Sequence, residues 1–291
     1  MFEGVLPALV TPFTNDNNID AESFRNIVSH VEEGGVSGVV VSGTTGESAT
    51  LSTGEHKELI NLCVDCSTVP VVAGTGSNNT LEAVELTKHA ADAGADGALI
   101  ISPYYVKPNN TGLIAHFKKI AESADLPIIL YNVPTRTGQD MPLEVIIELS
   151  KVENIVAVKD ASGNLVKVSQ ILEQTMDEDF AVLSGEDDLT FPILAMGGAG
   201  VISVIANIVP EMMVKLYAAV KAADLETARK LHFEMAPLMR ALFTETNPIP
   251  VKRAVELLGL SSGTMRLPLA PLSEENSVEL ENILRSMGCI A

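Results

Sequence analysis

The chain has 291 residues, of which 46% are hydrophobic, and its formal net charge is -19 at pH 7. Such a chain can bury a large core, in one big domain or in two of ordinary size. Its acidic balance disfavours nucleic acid and anionic membrane surfaces as partners, because both repel a negatively charged protein. The acidic residues are dispersed rather than gathered in a tail, which indicates a solvated acidic surface.

The first ten residues, M-F-E-G-V-L-P-A-L-V, lack the basic segment and the cleavage site of a signal peptide. No apolar stretch in the sequence approaches the ~20 residues of a membrane span. We therefore expect a cytoplasmic protein.

Eight short apolar runs recur along the chain, and they are rich in Val and Ile. They cover residues 4–10, 37–43, 69–75, 96–102, 127–132, 154–160, 180–185 and 200–205. Continuous apolar runs are typical of strands that are buried on both faces, as in a parallel sheet. Pro70 and Pro127 fall at predicted strand starts, where a missing N–H does least harm.

Helical patterns separate these runs. Residues 21–33 carry an apolar stripe at positions 24, 27, 28 and 31, and further patterns cover 79–93 and 111–123. Thr80 is predicted to be the N-cap of the second of these helices, and Gly94 its C-terminal stop. A short segment near 187–196 is predicted to be the seventh helix.

Strand and helix alternate through eight cycles, which predicts an α/β fold, the closed (β/α)8 TIM barrel. An open doubly wound sheet is the alternative, but it usually has a glycine-rich loop after the first strand. The segment V-T-P-F-T-N-D-N-N at that place has no glycine. After about residue 222 only helical patterns follow, at 224–243, 248–258 and 273–287. We predict a barrel over residues 1–223 and a helical region over 224–291 that packs on it.

Cys63 and Cys66 form a C-x-x-C motif, which can serve redox chemistry or metal binding. The pair lies late in a helical pattern, where residues three apart share a face. No second C-x-x-C motif and no nearby histidine cluster completes a metal site. We expect reduced core cysteines and no metal.

Polar motifs follow the predicted strands. They are S-G-T-T-G-E (42–47), S-P-Y-Y-V-K-P (102–108), Y-N-V-P-T-R-T-G (131–138), K-D-A-S-G (159–163) and S-G-E-D-D (184–188), with G-G-A-G-V-I-S-V (197–204) leading into the eighth strand. In a (β/α)8 barrel the active site lies at the carboxyl ends of the strands. We therefore expect these motifs to meet at one barrel mouth.

Lys159 ends one of the apolar runs, where a lysine is unexpected. Successive strand residues point to opposite faces, so its side chain faces either the barrel interior or the helix layer. A desolvated lysine loses proton affinity and becomes a nucleophile toward carbonyl groups. The alternative is a structural lysine that pairs with Asp160 or with a glutamate.

Other residues at strand ends offer complementary chemistry. The hydroxyl of Tyr131 could relay protons near an imine-forming lysine. The hydroxyls and backbone N–H groups at Thr44 and Thr45 suit a carboxylate, and Arg136 can hold a second one. Taken singly, each has an ordinary alternative, namely an amphipathic barrel-end residue, a tight turn or a surface salt bridge. Together they favour carbonyl chemistry on a keto-acid or dicarboxylic substrate.

These motifs, together with G-T-T-G-E-S-A-T-L (43–51), A-G-T-G-S-N (73–78) and V-K-D-A-S-G-N (158–164), resemble in order and spacing the pyruvate-dependent class I aldolase family, which includes N-acetylneuraminate lyase. Within that family the chain is similar to the dihydrodipicolinate synthase branch over essentially its whole length. The resemblance implies a lyase that condenses pyruvate with L-aspartate 4-semialdehyde and cyclises the product, in the diaminopimelate route to lysine. It implies no cofactor apart from a covalent imine.

The resemblance also implies roles for the site residues. Lys159 forms the imine with pyruvate, and Thr44 and Thr45 hold the pyruvate carboxylate. Tyr131 moves protons during imine formation and cyclisation. Thr45 links Tyr131 to Tyr105, which in this family comes from the neighbouring subunit. We therefore expect at least an obligate dimer, and the family norm is a homotetramer built as a dimer of dimers.

For the second substrate, the resemblance implies that Arg136 binds the semialdehyde carboxylate, while backbone groups of Gly185 and Ile202 shape the pocket. N-acetylneuraminate lyases typically carry Ser-Thr in place of Thr44 and Thr45. Neither they nor the 2-keto-3-deoxy-sugar-acid aldolases usually keep an arginine at position 136. A different class of alternative is a non-catalytic keto-acid sensor on the same barrel.

Feedback inhibition by lysine is a further implication of the resemblance. Inhibited family members carry a cleft at the dimer interface, which would correspond here to Ser48, Ala49, His56, Asn78, Glu82 and Tyr104. Glu82 and Asn78 would bind the charged groups of the ligand, and a histidine responds to its surroundings near neutral pH. The alternative is an ordinary interface. Some inhibited members have a second histidine where this chain has Thr53.

Overall fold

Eight parallel strands form one sheet in the computed structural model, which describes residues 2–291. They are β1 (Gly4–Pro7), β2 (Val39–Val41), β3 (Val71–Gly74), β4 (Gly97–Ile101), β5 (Ile128–Asn132), β6 (Ile155–Asp160), β7 (Ala181–Ser184) and β8 (Gly200–Ser203). The order in the sheet is β1-β8-β7-β6-β5-β4-β3-β2. The backbone N–H of Leu9 donates to the carbonyl of Val40 at 2.9 Å, and this joins β1 to β2 and closes the barrel. The predicted TIM barrel is confirmed, and the open sheet is wrong.

Twelve α-helices lie within residues 2–291. They are α1 (Ala21–Glu33), α2 (Thr53–Cys66), α3 (Thr80–Ala93), α4 (Asn110–Ala121), α5 (Pro134–Thr137), α6 (Leu143–Leu149), α7 (Leu165–Gln174), α8 (Thr190–Ala195), α9 (Pro210–Lys221), α10 (Leu225–Ala241), α11 (Ile249–Leu257) and α12 (Glu274–Ser286). In this part of the chain none of them has the length and apolar character needed to cross a membrane.

Most predicted helix ends agree with the structure, but the N-cap of α3 does not. The predicted cap, Thr80, is the first residue of the helix itself. Asn79 is the cap, because its side-chain oxygen accepts a hydrogen bond from the N–H of Leu81 at 3.1 Å. Gly94 ends the helix as predicted, with a φ of 89° that favours glycine. The seventh helix is present as a 3-10 turn (Asp187–Leu189) followed by α8.

The strands separate two hydrophobic cores. Along β2, Val39 and Val41 pack against the helix layer, whereas Val40 points into the barrel. The same alternation along β6 puts Ala157 inside and Val158 outside. Lys159 comes next, so its side chain faces the barrel interior.

The helices after residue 223 share the outer core with the barrel. Met235 and Leu238 of α10, Val251 of α11 and Leu284 of α12 belong to the same buried cluster as the helices that surround the strands. The helical region over 224–291 is therefore packed on the barrel. The boundary at residue 223 stays a prediction, because the described core is continuous across it.

Cys63 and Cys66 lie on the last turn of α2, Cys63 buried and Cys66 half-buried, and both are free thiols. Burial raises the pKa of both thiols, which disfavours the reactive thiolate. These findings support the interpretation as core cysteines. Within residues 2–291, no group of three or more His, Cys, Asp or Glu side chains is placed to hold a metal ion.

His116 on α4 makes stability depend on pH. Burial lowers its pKa to about 4, while its Nδ1 shares a hydrogen bond with the hydroxyl of Thr80 at 2.9 Å. An unfolded histidine titrates near ~6.5, so the unfolded chain binds more protons between these two values. Stability should therefore fall as the pH drops from about 6.5 to about 4, by roughly 1–3 kcal/mol for this group.

Urea unfolding at pH 7 and at pH 4.5 measures this loss. In the His116→Gln variant, which cannot titrate, the loss between the two pH values should be smaller by that amount. An identical loss in both proteins would show that His116 does not carry the effect.

Candidate active site

Lys159 and Tyr131 face each other at the carboxyl ends of β6 and β5, where the strand register pairs them. The Nζ of Lys159 lies 4.1 Å from the centroid of the Tyr131 ring. The two side chains are 6% and 7% exposed. This arrangement shields an amine from water and places a phenol beside it, as nucleophilic attack with proton transfer requires.

Lys159 differs from two other buried lysines of the chain. Lys167 and Lys252 each form a salt bridge with a carboxylate, whereas no carboxylate of residues 2–291 forms one with Lys159. Asp160 instead accepts a hydrogen bond from the side-chain amide of Asn132 at 2.8 Å. The alternative of a structural Lys159–Asp160 pair is therefore wrong.

A polar network that links β5, β6 and α7 fixes the positions of these two strand ends. The side-chain amide of Asn132 donates to both Asp140 and Asp160 at 2.8 Å. Lys167 of α7 donates to Asp140 in turn. Because Asn132 and Asp160 directly follow the tyrosine and the lysine, this network holds Tyr131 and Lys159 side by side.

The loop after β2 carries Thr44 and Thr45 in an unusual backbone conformation. Ser42 and Glu47, on either side of them, have φ values of 55° and 53° in the left-handed region. That region costs a non-glycine residue about 1 kcal/mol or more. Gly74 leaves space for the loop, because a Cβ there would collide with the carbonyl oxygen of Ser42.

Contacts from the C-terminal helical region hold this loop. The carboxylate of Glu47 is fully buried and pairs with Lys252 of α11, and it also accepts a hydrogen bond from the N–H of Arg266 at 3.3 Å. The amide nitrogen of Asn247 donates to the hydroxyl oxygen of Thr45 at 3.0 Å. The hydroxyl hydrogen of Thr45 is then left to donate to a bound carboxylate.

These anchoring residues were not predicted from the sequence. Lys252 lies three residues after Ile249 and three before Val255, on the buried stripe of α11. A lysine on such a stripe is a signal of a buried ion pair, but periodicity does not say which carboxylate it meets. Asn247 lies between the predicted helical patterns 224–243 and 248–258, and nothing in the sequence marked it as a residue of the site.

Asp187, after β7, is a second buried carboxylate near the lysine. It accepts hydrogen bonds from the hydroxyl of Ser203 at 2.6 Å and from the N–H groups of Val204 and Ile205 at 3.0 and 2.9 Å. Burial raises its pKa, against these bonds and the positive charge of Lys159. It thus ties the end of β7 to the end of β8.

A cavity of about 480 Å³ opens at this end of the barrel, and Thr44, Tyr131 and Arg136 line it. Arg136 is exposed, and its Nη2 donates to the carbonyl of Asn247 at 2.8 Å. Lys159 is not part of the cavity wall but lies against Tyr131. The structure thus brings Thr44 and Arg136 to one opening, with the lysine behind the tyrosine, whereas Thr45 does not line the cavity.

The remaining predicted pocket residues occupy different places. Gly185 follows β7, and its N–H donates to the carbonyl of Asp160 at 2.8 Å. Ile202 is buried in the interior core of the barrel. Neither residue lines the cavity, and their roles in shaping the pocket stay predictions.

Tyr105 lies apart from the other predicted catalytic residues. Its side chain is 88% exposed, and its φ of 69° is in the left-handed region. Within residues 2–291, Thr45 has no hydrogen bond to Tyr131 or to Tyr105 and is bonded to Asn247 instead. The relay from Tyr131 through Thr45 to Tyr105 stays a prediction, because it requires a second subunit.

The cavity extends from the barrel mouth to the residues predicted to bind lysine. Those on its wall are Ser48, Ala49, His56, Glu82 and Tyr104, together with Thr53. Asn78 is not on the wall, but its side-chain amide donates to the carbonyl of Tyr104 at 3.3 Å. Burial lowers the pKa of His56, whose Nε2 is 2.7 Å from the carbonyl of Gly74. Five of the six residues predicted to bind lysine thus lie on the wall of this cavity, and the sixth contacts one of them.

Comparisons with known proteins give the family of the chain. The sequence model described as "Dihydrodipicolinate synthetase family" matches residues 1–287. A 4-hydroxy-tetrahydrodipicolinate synthase of Methanosarcina mazei is 68% identical over 288 residues, which cover 99% of each chain.

Two solved structures of relatives are also similar to the whole chain. One is a chloride-inhibited dihydrodipicolinate synthase of Acinetobacter baumannii complexed with pyruvate, with 41% identity, a TM-score of 0.97 and full coverage of both chains. The other is the synthase of Cyanidioschyzon merolae with lysine bound, with 41% identity, a TM-score of 0.95 and 99% coverage of both chains.

These matches confirm the resemblance and the fold predicted from the motifs. They also confirm the predicted enzyme class, a lyase of the class I aldolase type. The chain belongs to the dihydrodipicolinate synthetase family.

Proposed function

We propose that this chain condenses pyruvate with L-aspartate 4-semialdehyde and cyclises the product to 4-hydroxy-tetrahydrodipicolinate, in the diaminopimelate route to lysine. One observation carries the proposal: the buried amine of Lys159 forms no salt bridge with any carboxylate of residues 2–291 and lies 4.1 Å from the ring centroid of Tyr131. The names of the relatives and the pyruvate complex of one of them support it.

In the proposed reaction, the neutral amine of Lys159 attacks the keto carbon of pyruvate, and loss of water gives the imine. Tyr131 supplies and removes the protons of this step. Thr44 and Thr45 hold the pyruvate carboxylate through their hydroxyls and backbone N–H groups. No cofactor is needed, because the imine itself withdraws electrons from the adjacent methyl group.

Loss of a methyl proton then converts the imine into an enamine, whose carbon attacks the aldehyde carbon of the second substrate. The amino group of that substrate next attacks the imine carbon and displaces Lys159 as the ring closes. One water leaves over the whole sequence, and the lysine is regenerated. Arg136, at the cavity mouth, is proposed to hold the carboxylate of the semialdehyde during these steps.

The sister activities and the sensor are less well supported by the site. A lyase for N-acetylneuraminate or an aldolase for keto-deoxy acids would not need an arginine at the cavity mouth, where Arg136 is held by the carbonyl of Asn247. A sensor would not need an unpaired amine next to a phenol. We therefore prefer the synthase.

A coupled assay with pyruvate and L-aspartate 4-semialdehyde tests the proposed function. The purified protein should form the cyclic product, with a kcat/KM at least ten-fold above that for N-acetylneuraminate or keto-deoxy acids. Preference for either of the latter would assign a sister activity. No turnover of any of them, together with pyruvate binding, would favour the sensor.

The assembly is part of the proposal. We propose at least a dimer in which Tyr105 reaches the neighbouring active site, and a tetramer built from two such dimers. The exposed side chain and left-handed backbone of Tyr105 support this, because strained backbone conformations are typical of functional sites and persist where further contacts hold them. Sedimentation velocity measures the mass, and a fully active monomer would contradict the proposal.

Lysine is proposed to inhibit the enzyme by binding in the part of the cavity next to Glu82. The lysine-bound relative supports this. In the assay, millimolar lysine should lower the rate, and Glu82→Ala should raise the half-inhibitory concentration by about ten-fold or more, since it removes a carboxylate partner of the ligand. Norleucine, which lacks the terminal amine, is the ligand control. Full activity of the unmodified enzyme at millimolar lysine would reject the proposal.

A further inference from the structure

Asn247 lies on the cavity wall and contacts both Thr45 and Arg136. It lies just before α11, and it is 6% exposed. Its side-chain nitrogen donates to Thr45, which is proposed to hold the first substrate. Its backbone carbonyl accepts from Arg136, which is proposed to hold the second. It therefore lies between the places where the two carboxylates would bind.

The side-chain oxygen of Asn247 is left without a partner. It is one of two buried side-chain polar atoms on the cavity wall that make no hydrogen bond within residues 2–291, the other being the hydroxyl of Ser42. A buried acceptor without a partner costs free energy. With the amide nitrogen directed at Thr45, the oxygen is left for a ligand that donates a hydrogen bond.

We infer that the side-chain oxygen of Asn247 accepts a hydrogen bond from the amino group of the aldehyde substrate. The inference rests on the proposed function, in which the carboxylate of that substrate binds Arg136. The amino group is attached to the same carbon as this carboxylate, so its nitrogen is only two bonds from the carboxylate carbon that the guanidinium would hold. The residue that accepts from Arg136 through its backbone is thus beside the amino group.

The choice of an amide rather than a carboxylate fits the chemistry of ring closure. The amino group must lose a proton before its nitrogen can attack the imine carbon. A carboxylate would stabilise the charged ammonium form, whereas a neutral amide oxygen orients the group without holding its extra proton. Asn247 is therefore a specificity residue that both selects the amino substrate and directs its nitrogen.

The test compares two aldehydes on the pyruvate-loaded enzyme: L-aspartate 4-semialdehyde, and succinic semialdehyde, which lacks the amino group. For the first, kcat/KM of product formation is measured. For the second, which cannot cyclise, the rate of adduct formation on Lys159 is measured after borohydride reduction. Asn247→Ala removes the hydrogen bond to Thr45 in both reactions but the contact with the amino group only in the first, so it should lower the first value about ten-fold or more beyond any loss in the second.

Equal losses for both aldehydes would show that Asn247 acts only by positioning Thr45, and would overturn the inference. No loss for either would overturn it as well. If unmodified enzyme forms no product from the amino aldehyde, the proposed function itself fails, which is a separate result. Extent of pyruvate adduct on Lys159 reports whether the variant is folded.

Two further variants sharpen the comparison. Asn247→Asp keeps the size of the side chain and should lower KM for the amino aldehyde while lowering kcat, because it holds the ammonium form. An unchanged kcat would contradict the role in ring closure. Ser42→Gly removes the other unpartnered atom of the cavity wall at a backbone conformation that suits glycine. It should change kcat/KM for the amino aldehyde and the rate of adduct formation with succinic semialdehyde by the same factor.

Discussion

Replacing Lys159 by methionine should lower kcat by about a thousand-fold or more, because no imine can form and no other amine takes its place. Methionine is close in length and apolar, and the site is already buried, so the fold should tolerate it. The coupled assay measures the loss, and thermal unfolding shows whether the variant keeps its structure. A variant with a tenth of the original rate would contradict the imine mechanism.

Trapping with pyruvate and borohydride locates the imine directly. Mass spectrometry of peptides should find the adduct on Lys159 and not on Lys167 or Lys252. The latter two are matched controls, since both are buried lysines whose ammonium groups are held by carboxylates. An adduct on either of them would show that burial alone, rather than the lack of an acidic partner, selects the nucleophile.

Replacing Lys252 by methionine should destabilise the protein by about 3–5 kcal/mol, because it leaves the fully buried carboxylate of Glu47 without its partner. The same change should raise KM for pyruvate about ten-fold or more, since Glu47 ends the loop that carries Thr44 and Thr45. Urea unfolding gives the free energy, and the coupled assay gives KM.

Two further variants serve as controls for this ion pair. In the double variant Lys252→Met/Glu47→Gln the uncompensated charge is gone, so much of the lost stability should return. Lys118→Met breaks an exposed pair with Glu148 and should leave the free energy of unfolding nearly unchanged. If Lys252→Met changes the free energy of unfolding as little as Lys118→Met does, the buried pair does not hold the loop.

The sequence alone predicted the barrel and led to Lys159 as the group proposed to react. The eight apolar runs predicted the strands because burial on both faces leaves a continuous signal. The place of Lys159 at the end of one run predicted the barrel mouth, since strand ends meet there. The structure then showed that the side chain of Lys159 points into the barrel, because Ala157, two residues earlier on β6, also faces inward.

Only the tertiary structure decided what holds the site together. Thr45 and Asn247 are 202 residues apart, and Glu47 and Lys252 are 205 residues apart. Hydrophobic periodicity reports that a position is buried, but it does not report which distant side chain it meets. Local spacing likewise could not predict the exposed Tyr105 or the N-cap at Asn79, since both depend on backbone geometry. The residues proposed to react lie in local motifs, whereas the residues that hold Thr45 and its loop come from α11 and the segment just before it, far along the chain.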